Sequence, residues 1–274
     1  MPQPLLTSIF TPLLATLCLF PATTPATEKL SPTDLTQIRE ELGVSPFTAP
    51  SIGLIFTELQ DLKPFPWEKV WRLPPETTPK SRARLALSIG ATIADGFLIV
   101  TAEKSSSFEP VGRALLKLSK GLGVGEPVTR HSQSILEKVA RKKWDAVRTE
   151  LAQTQTDVEA SLLSLKDEEV AHLVALGGWL RGLEIATAII TDSFSPERAQ
   201  RIVQPELIGY FLSRTQTLNP RFKSTPLGSL LEKNLREINQ ISSPSKSSKL
   251  TLSDLVRIHD LSHAINFQVT QPEP

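Results

Sequence analysis

The sequence predicts an all-α fold, a multi-helix bundle of antiparallel helices around two central apolar helices, about 79–104 and 168–191. Three observations carry this. Apolar residues recur at three- and four-residue spacing through most of the chain, the period of a helix with one buried face. Nowhere does period-2 alternation stand beside hairpin turn chemistry, so strands are not expected. The segments 81–103 and 168–191 are apolar on every face, which places each inside packed protein or lipid.

The chain has 274 residues, 40% hydrophobic and 22% charged, enough for one large domain or two small ones with a sizeable core. Thirty basic residues against 29 acidic give a formal charge of +1. Such a balance produces no global field towards nucleic acid, and nucleic acid is not an expected partner.

Residues 1–26 read as a signal peptide. Leu5, Leu6, Ile9, Phe10, Leu13, Leu14, Leu17, Leu19 and Phe20 make an apolar stretch, and no charge precedes Glu28. Cleavage is expected after Ala26, with Thr24 three positions before the cut, or less favourably after Ala22; an uncleaved anchor is the alternative. The single cysteine, Cys18, lies inside this segment behind Leu17, where a lipid attachment site needs a small residue. A mature chain without cysteine has no disulfide, thiolate zinc site, iron–sulfur cluster or Cys nucleophile.

Domain organisation follows from composition: a helical domain over 27–241, a flexible linker over 242–250 rich in serine, and a C-terminal helix and tail over 251–274. A short helix follows Ser31 through Leu35, Ile38 and Leu42, and another spans about 51–62. Five prolines between Pro64 and Pro79, with Trp67 and Trp71 among them, allow irregular chain or one helical turn. Thr78 and Pro79 are a suitable N-cap and first residue for the first long helix.

Helices are expected next at about 108–121, stopped by Gly121 and Gly123, then at 126–142 and 144–165, leading past Asp167 into 168–191. Such short breaks make successive helices antiparallel neighbours. Ser195-Pro196 opens 196–202, weaker helices cover 205–217 and 227–241, and Thr251 with Asp254 caps a last helix to about 268.

Both apolar helices carry stripes of small residues at four-residue spacing, Ala86, Gly90 and Ala94 in one and Gly178, Gly182 and Ala186 in the other. Each glycine inside a helix costs about 1 kcal/mol relative to alanine, so close approach of another backbone is the expected compensation. Similar stripes associate helices in lipid, which raises a membrane-associated reading. Asp95, His172, Arg181 and Glu184 oppose spanning, because an ionised group at the bilayer centre costs about 2.5–3.5 kcal/mol.

Asp95 and Arg181 are charges of opposite sign placed mid-helix among apolar neighbours, each followed by glycine, with Glu184 one turn beyond Arg181. If the stripes meet, the pair fixes helix register or lines a ligand site. The candidate metal ligands are Glu169, His172, His259 and His263: Glu169-x-x-His172 is half of the pattern of di-iron helical proteins, and His259 and His263 share a helical face. Asp260-x-x-His263 echoes that pattern, and His131 reads as solvated.

No phosphate loop, haem attachment site, His-Glu-x-x-His motif or nucleophile elbow is present. Gly121, Gly123 and Gly125 follow a helix and read as its stop, and Arg141-Lys142-Lys143 reads as a solvated helix end. One tyrosine and 6% aromatic residues disfavour a large aromatic cage. The expectation is an exported, periplasmic or extracellular binding or interaction module with no cofactor and no assigned catalytic residue. Its partner is a protein or a small ligand. The alternatives are a metal- or small-ligand-handling bundle and a membrane-associated component.

Overall fold

Helices account for most of the described chain, residues 52–60, 62–63, 65–243 and 249–271 of a computed structural model, and no strand occurs among them. The segment 1–26, the helix expected after Ser31 and most of the expected linker lie outside the described residues. The order is α1 Gly53–Gln60, α2 Trp67–Val70, α3 Arg82–Ala102, α4 Phe108–Leu122, α5 Gly125–Ala140, α6 Trp144–Ser164 and α7 Glu168–Asp192. Then follow α8 Pro196–Ile202, α9 Pro205–Gln216, α10 Pro220–Lys223, α11 Pro226–Ser242 and α12 Leu252–Thr270, with a 3-10 turn, Ser105–Ser107, before α4.

The two apolar segments are α3 and α7. Every residue of α3 from Arg84 to Thr101 is buried. Both helices are long and apolar enough to cross a membrane by length and composition, and 94% of each apolar window is buried inside the protein. Their all-round apolarity is therefore met by other helices.

Glycine sets how closely these two helices pack. A Cβ on Gly90 would lie 1.9 Å from the Val174 carbonyl oxygen, and one on Gly177 would lie 2.2 Å from that of Leu87. No side chain fits at either place, and the backbones touch. Gly182 behaves differently: its Cβ would meet the end of the Ile55 side chain at 2.9 Å, so it faces α1. The close crossing thus uses Gly90 and Gly178, which the two stripes contain, together with Gly177, which they do not, while Gly182 of the second stripe faces α1.

Arg82 is bonded to Asp167 at the start of both helices, Leu87 lies against Gly177, and Asp95 meets Arg181 further along. These contacts make α3 and α7 parallel to each other. The result follows from the expected up-and-down path, because the short turns through α4, α5 and α6 bring α7 back in the direction of α3. α12 runs antiparallel to α7: Asn266 donates to the Leu180 carbonyl at 3.1 Å, while His259 and His263 reach Glu184.

Local signals explain most boundaries. Gly123, at φ +88°, ends α4. Ser195 accepts from Arg198 N at 3.1 Å to cap α8, and Thr251 with Asp254 forms the capping box that opens α12. α3 is the exception. It starts at Arg82 with Ser81 as its cap, so Thr78 and Pro79 precede the helix they were expected to open.

Candidate functional site

The mid-helix charges come together. Arg181 Nε donates to Asp95 Oδ1 at 2.7 Å, and Nη2 donates to the Val70 carbonyl at 2.6 Å. Arg181 Nη1 lies 2.9 Å from Glu184 Oε2, an ion pair at an angle that leaves this oxygen without a proper hydrogen bond. Arg72, in the chain after α2, donates from Nε to the other Asp95 oxygen at 3.1 Å. Asp95 and Arg181 are each 3% exposed and Glu184 6%.

Formal charge balances here, with Arg72 and Arg181 against Asp95 and Glu184. Burial opposes ionisation of Glu184, but the Arg181 guanidinium and a hydrogen bond from His263 outweigh it and hold its carboxyl down at about 2. Every oxygen of Asp95 faces a guanidinium, and Arg181 spends its donors on three elements at once. The cluster joins α3, α7 and the residues 70–72 in one register. It offers no nucleophile, and the Glu184 carboxyl within it is held ionised.

The candidate metal ligands separate into two places. Glu169 accepts from Asn219 N with both oxygens at 3.2 Å, fixing the turn before α10. His172 packs its ring 5.5 Å from Tyr210 and 5.4 Å from Phe211, with Nε2 buried and unpartnered. Burial, aided by Arg214, pushes its pKa down to about 4, so it is neutral. The half-motif therefore serves a turn and an aromatic cluster.

His259 and His263 lie together on α12 as their spacing implies, with ring centroids 5.9 Å apart and planes 17° from parallel. Among the described residues, no group of three or more His, Cys, Asp or Glu side chains is gathered to hold a metal ion. Asp260 is exposed on the same helix.

His131 is not solvated as expected. Its Nδ1 lies 2.7 Å from Glu150 Oε1 and its Nε2 lies 3.0 Å from Asp157 Oδ2, with the side chain 12% exposed. Burial lowers its pKa, but hydrogen bonds to Asp157 and Glu150 outweigh this and raise it. The two carboxylates sit seven residues apart on α6, so antiparallel packing brings both to one imidazole. Lys138 also bonds Glu150, whose carboxyl is held down at about 2 despite partial burial. This seam clips α5 to α6.

Beside the seam lies a cavity of about 200 Å³ between α3, α4, α5 and α6. Ile93, Phe108, Val111, Leu115, Val128, Ile135 and Leu151 line it. Gly96 and Gly112 add no side chain from α3 and α4, and nothing lies within 4 Å of a Cβ on Gly112. The hydroxyls in the wall spend their protons on their own helices: Thr92 on Ser88 O at 2.7 Å, Thr154 on Glu150 O at 2.7 Å and Ser132 on Thr129 O at 2.8 Å. Glu109 and Arg113 pair with each other at the rim, each side chain 68% exposed. Half-exposed Leu136 completes that rim.

The sequence reading did not find this cavity, nor Arg72 or the His131 seam. The apposition of α3, α4, α5 and α6 creates the cavity, that of α5 and α6 the seam, and the chain after α2 carries Arg72 to Asp95. Arg141, Lys142 and Lys143 form an exposed helix end as the sequence suggested. Comparison of the chain with family models, with curated proteins and with solved structures finds no match.

Proposed function

We propose that the chain is an exported, non-catalytic binding protein that takes a small apolar molecule, or the apolar end of a larger one, into the cavity between α3, α4, α5 and α6. The observation that carries this reading is the wall itself. Its side chains are overwhelmingly apolar, and the hydroxyls of Thr92, Thr154 and Ser132 donate elsewhere. A ligand group that needs a hydrogen-bond donor finds none inside and loses its hydration without return.

Size supports the same class of ligand. An apolar cavity of about 150 Å³ stays dry and accepts benzene, and this one is about 200 Å³. The paired Glu109 and Arg113 at the rim suit a polar end left in water. Acid–base chemistry has no agent in the apolar interior. Support for export comes from the apolar stretch and Ala26 of the N-terminal segment. A mature chain starting at Thr27 is the expected mass, and a mature chain that keeps Met1 contradicts cleavage.

Gly112→Leu tests the binding reading. A side chain there enters open space, so the protein folds while the cavity fills. Fluorescence titration with an apolar naphthylamine dye is expected to show saturable binding to the wild type, weakened at least tenfold by Gly112→Leu. Equal binding by both proteins, or none by the wild type, would overturn the proposal.

A further inference from the structure

We propose that the outward face of α12 is a dimer interface: two copies of the chain pack their α12 helices antiparallel about a two-fold axis, and Asp260 of each accepts a hydrogen bond from the partner's His263. Of the six large apolar side chains exposed among the described residues, three, Leu252, Val256 and Phe267, lie on this one helix. At about 100° per residue, Val256, His263 and Phe267 fall within about 40° of one another, flanked by Leu252 and Asp260. The buried face of Leu255, Ile258, Leu261, Ile265 and Val269 lies directly opposite. A surface helix with a second apolar stripe on its outer side has that stripe to cover as well.

The polar groups on the stripe decide what covers it. His263 Nδ1 donates to Glu184 Oε1 at 2.7 Å, because an ionised carboxylate only accepts. The same hydrogen bond raises the His263 pKa, against partial burial and Arg181, with Asp260 adding a little, so in mild acid Nε2 carries a proton too. Among the described residues Nε2 has no acceptor, and the Asp260 carboxylate makes no hydrogen bond or ion pair. An unmet donor and an unmet acceptor therefore stand one turn apart on one exposed face.

A two-fold axis between Leu261 and Ser262 satisfies both groups twice. Antiparallel helices related by it set Asp260 opposite the partner's His263 and Val256 opposite the partner's Phe267, on either side of the axis. Parallel packing would instead set each Asp260 beside the partner's Asp260. The rings of His259, His263 and Phe267 form a row along the stripe, with neighbouring centroids 5.9 Å and 6.2 Å apart, and aromatic groups with few charges are the composition of an interface core. One helix face per copy is small against the roughly 1,600 Å² that a standard interface buries, so the dimer is weak and concentration-dependent. No α12 residue lines the apolar cavity, so the dimer stands or falls separately from binding there.

Sedimentation equilibrium of the untagged protein at about pH 6, over a concentration series reaching about 1 mM, reads the contact. A monomer–dimer equilibrium is expected. Phe267→Asp and Asp260→Arg are each expected to weaken it at least tenfold, the first by burying a charge in the interface and the second by setting a cation against the partner's His263. Leu165→Asp, which replaces an equally exposed apolar residue just after α6, is expected to leave it unchanged. Raising the pH to about 9 removes the Nε2 proton and is expected to weaken the dimer; the charges facing His263 are Glu184 and Arg181 from α7 and Asp260 from its own helix. Circular dichroism of each variant is expected to match the wild type, since every replaced side chain is exposed. A wild type that stays monomeric throughout, or a dimer that neither α12 variant weakens, would overturn the proposal. Weakening by Phe267→Asp alone would place the dimer in another register and overturn the Asp260 pairing.

Discussion

Arg181 shows how a charge becomes part of an apolar interior. Its guanidinium meets Asp95, the Val70 carbonyl and Glu184, and Arg72 neutralises the second Asp95 oxygen. Removing one partner of such a buried pair costs about 3–5 kcal/mol because the other charge is stranded. Asp95→Leu is expected to lose that much, and to lose at least about 1 kcal/mol less in an Arg181→Met background. Simple additivity in urea unfolding contradicts a coupled pair.

Glu184 and His263 add pH dependence. The folded-state pKa of Glu184 lies at about 2, below its ordinary 4.5. Its contribution to stability is therefore complete above 4.5 and is lost as pH falls towards 2. His263 has the opposite sense, because its hydrogen bond to Glu184 raises its pKa above 6.5 despite some desolvation and the nearby Arg181, with Asp260 adding a little. Its contribution is complete below 6.5 and is lost as pH rises through the folded value. The stability advantage of wild type over His263→Ala should thus be largest in mild acid and shrink in alkali, and an advantage that grows with pH contradicts this pairing. Asp95, Arg181 and Glu184 were visible as isolated charges in apolar helices. His131 misled because its sequence neighbours are polar, whereas the partners that bury it come from α6.

At the scale of elements, periodicity and caps reveal α3 to α9, α11 and α12 to within a few residues and miss the one-turn α10. They failed at the start of α3, where Ser81 takes the cap from Thr78. They also gave no warning of the left-handed residues Glu103 and Lys166, which end helices without glycine at φ 57° each. The glycine stripes announced a close crossing and two of its contacts, Gly90 and Gly178, but not Gly177 beside them or the turn of Gly182 towards α1, because a helix offers several faces and only tertiary packing chooses. Gly177→Ala is expected to cost about 3 kcal/mol or more, since its Cβ would collide with backbone. Gly112→Ala is expected to stabilise by about 0.5–1 kcal/mol, since its Cβ meets nothing. Gly182→Ala should fall between them, with only the tip of Ile55 to move. Thermal melts of the three proteins give the order, and a Gly177→Ala melting point equal to wild type contradicts the crossing.

For the molecule as a whole, the up-and-down path through α3 to α7 places two apolar helices side by side and parallel, which leaves α4, α5 and α6 to cover one flank. That flank is where the cavity forms, at the level of Gly96 and Gly112. An all-helical interior was legible from composition and period alone. The cavity was not, because it is defined by side chains that are absent from two facing helices rather than by a motif along either one. Its apolar wall is the basis of the binding function proposed for this chain. A crystal structure of the protein under xenon pressure tests that wall most directly. The expected result is xenon density between Ile93, Leu115, Val128 and Leu151 in the wild type. Ordered water in that space, or no xenon there, would contradict it.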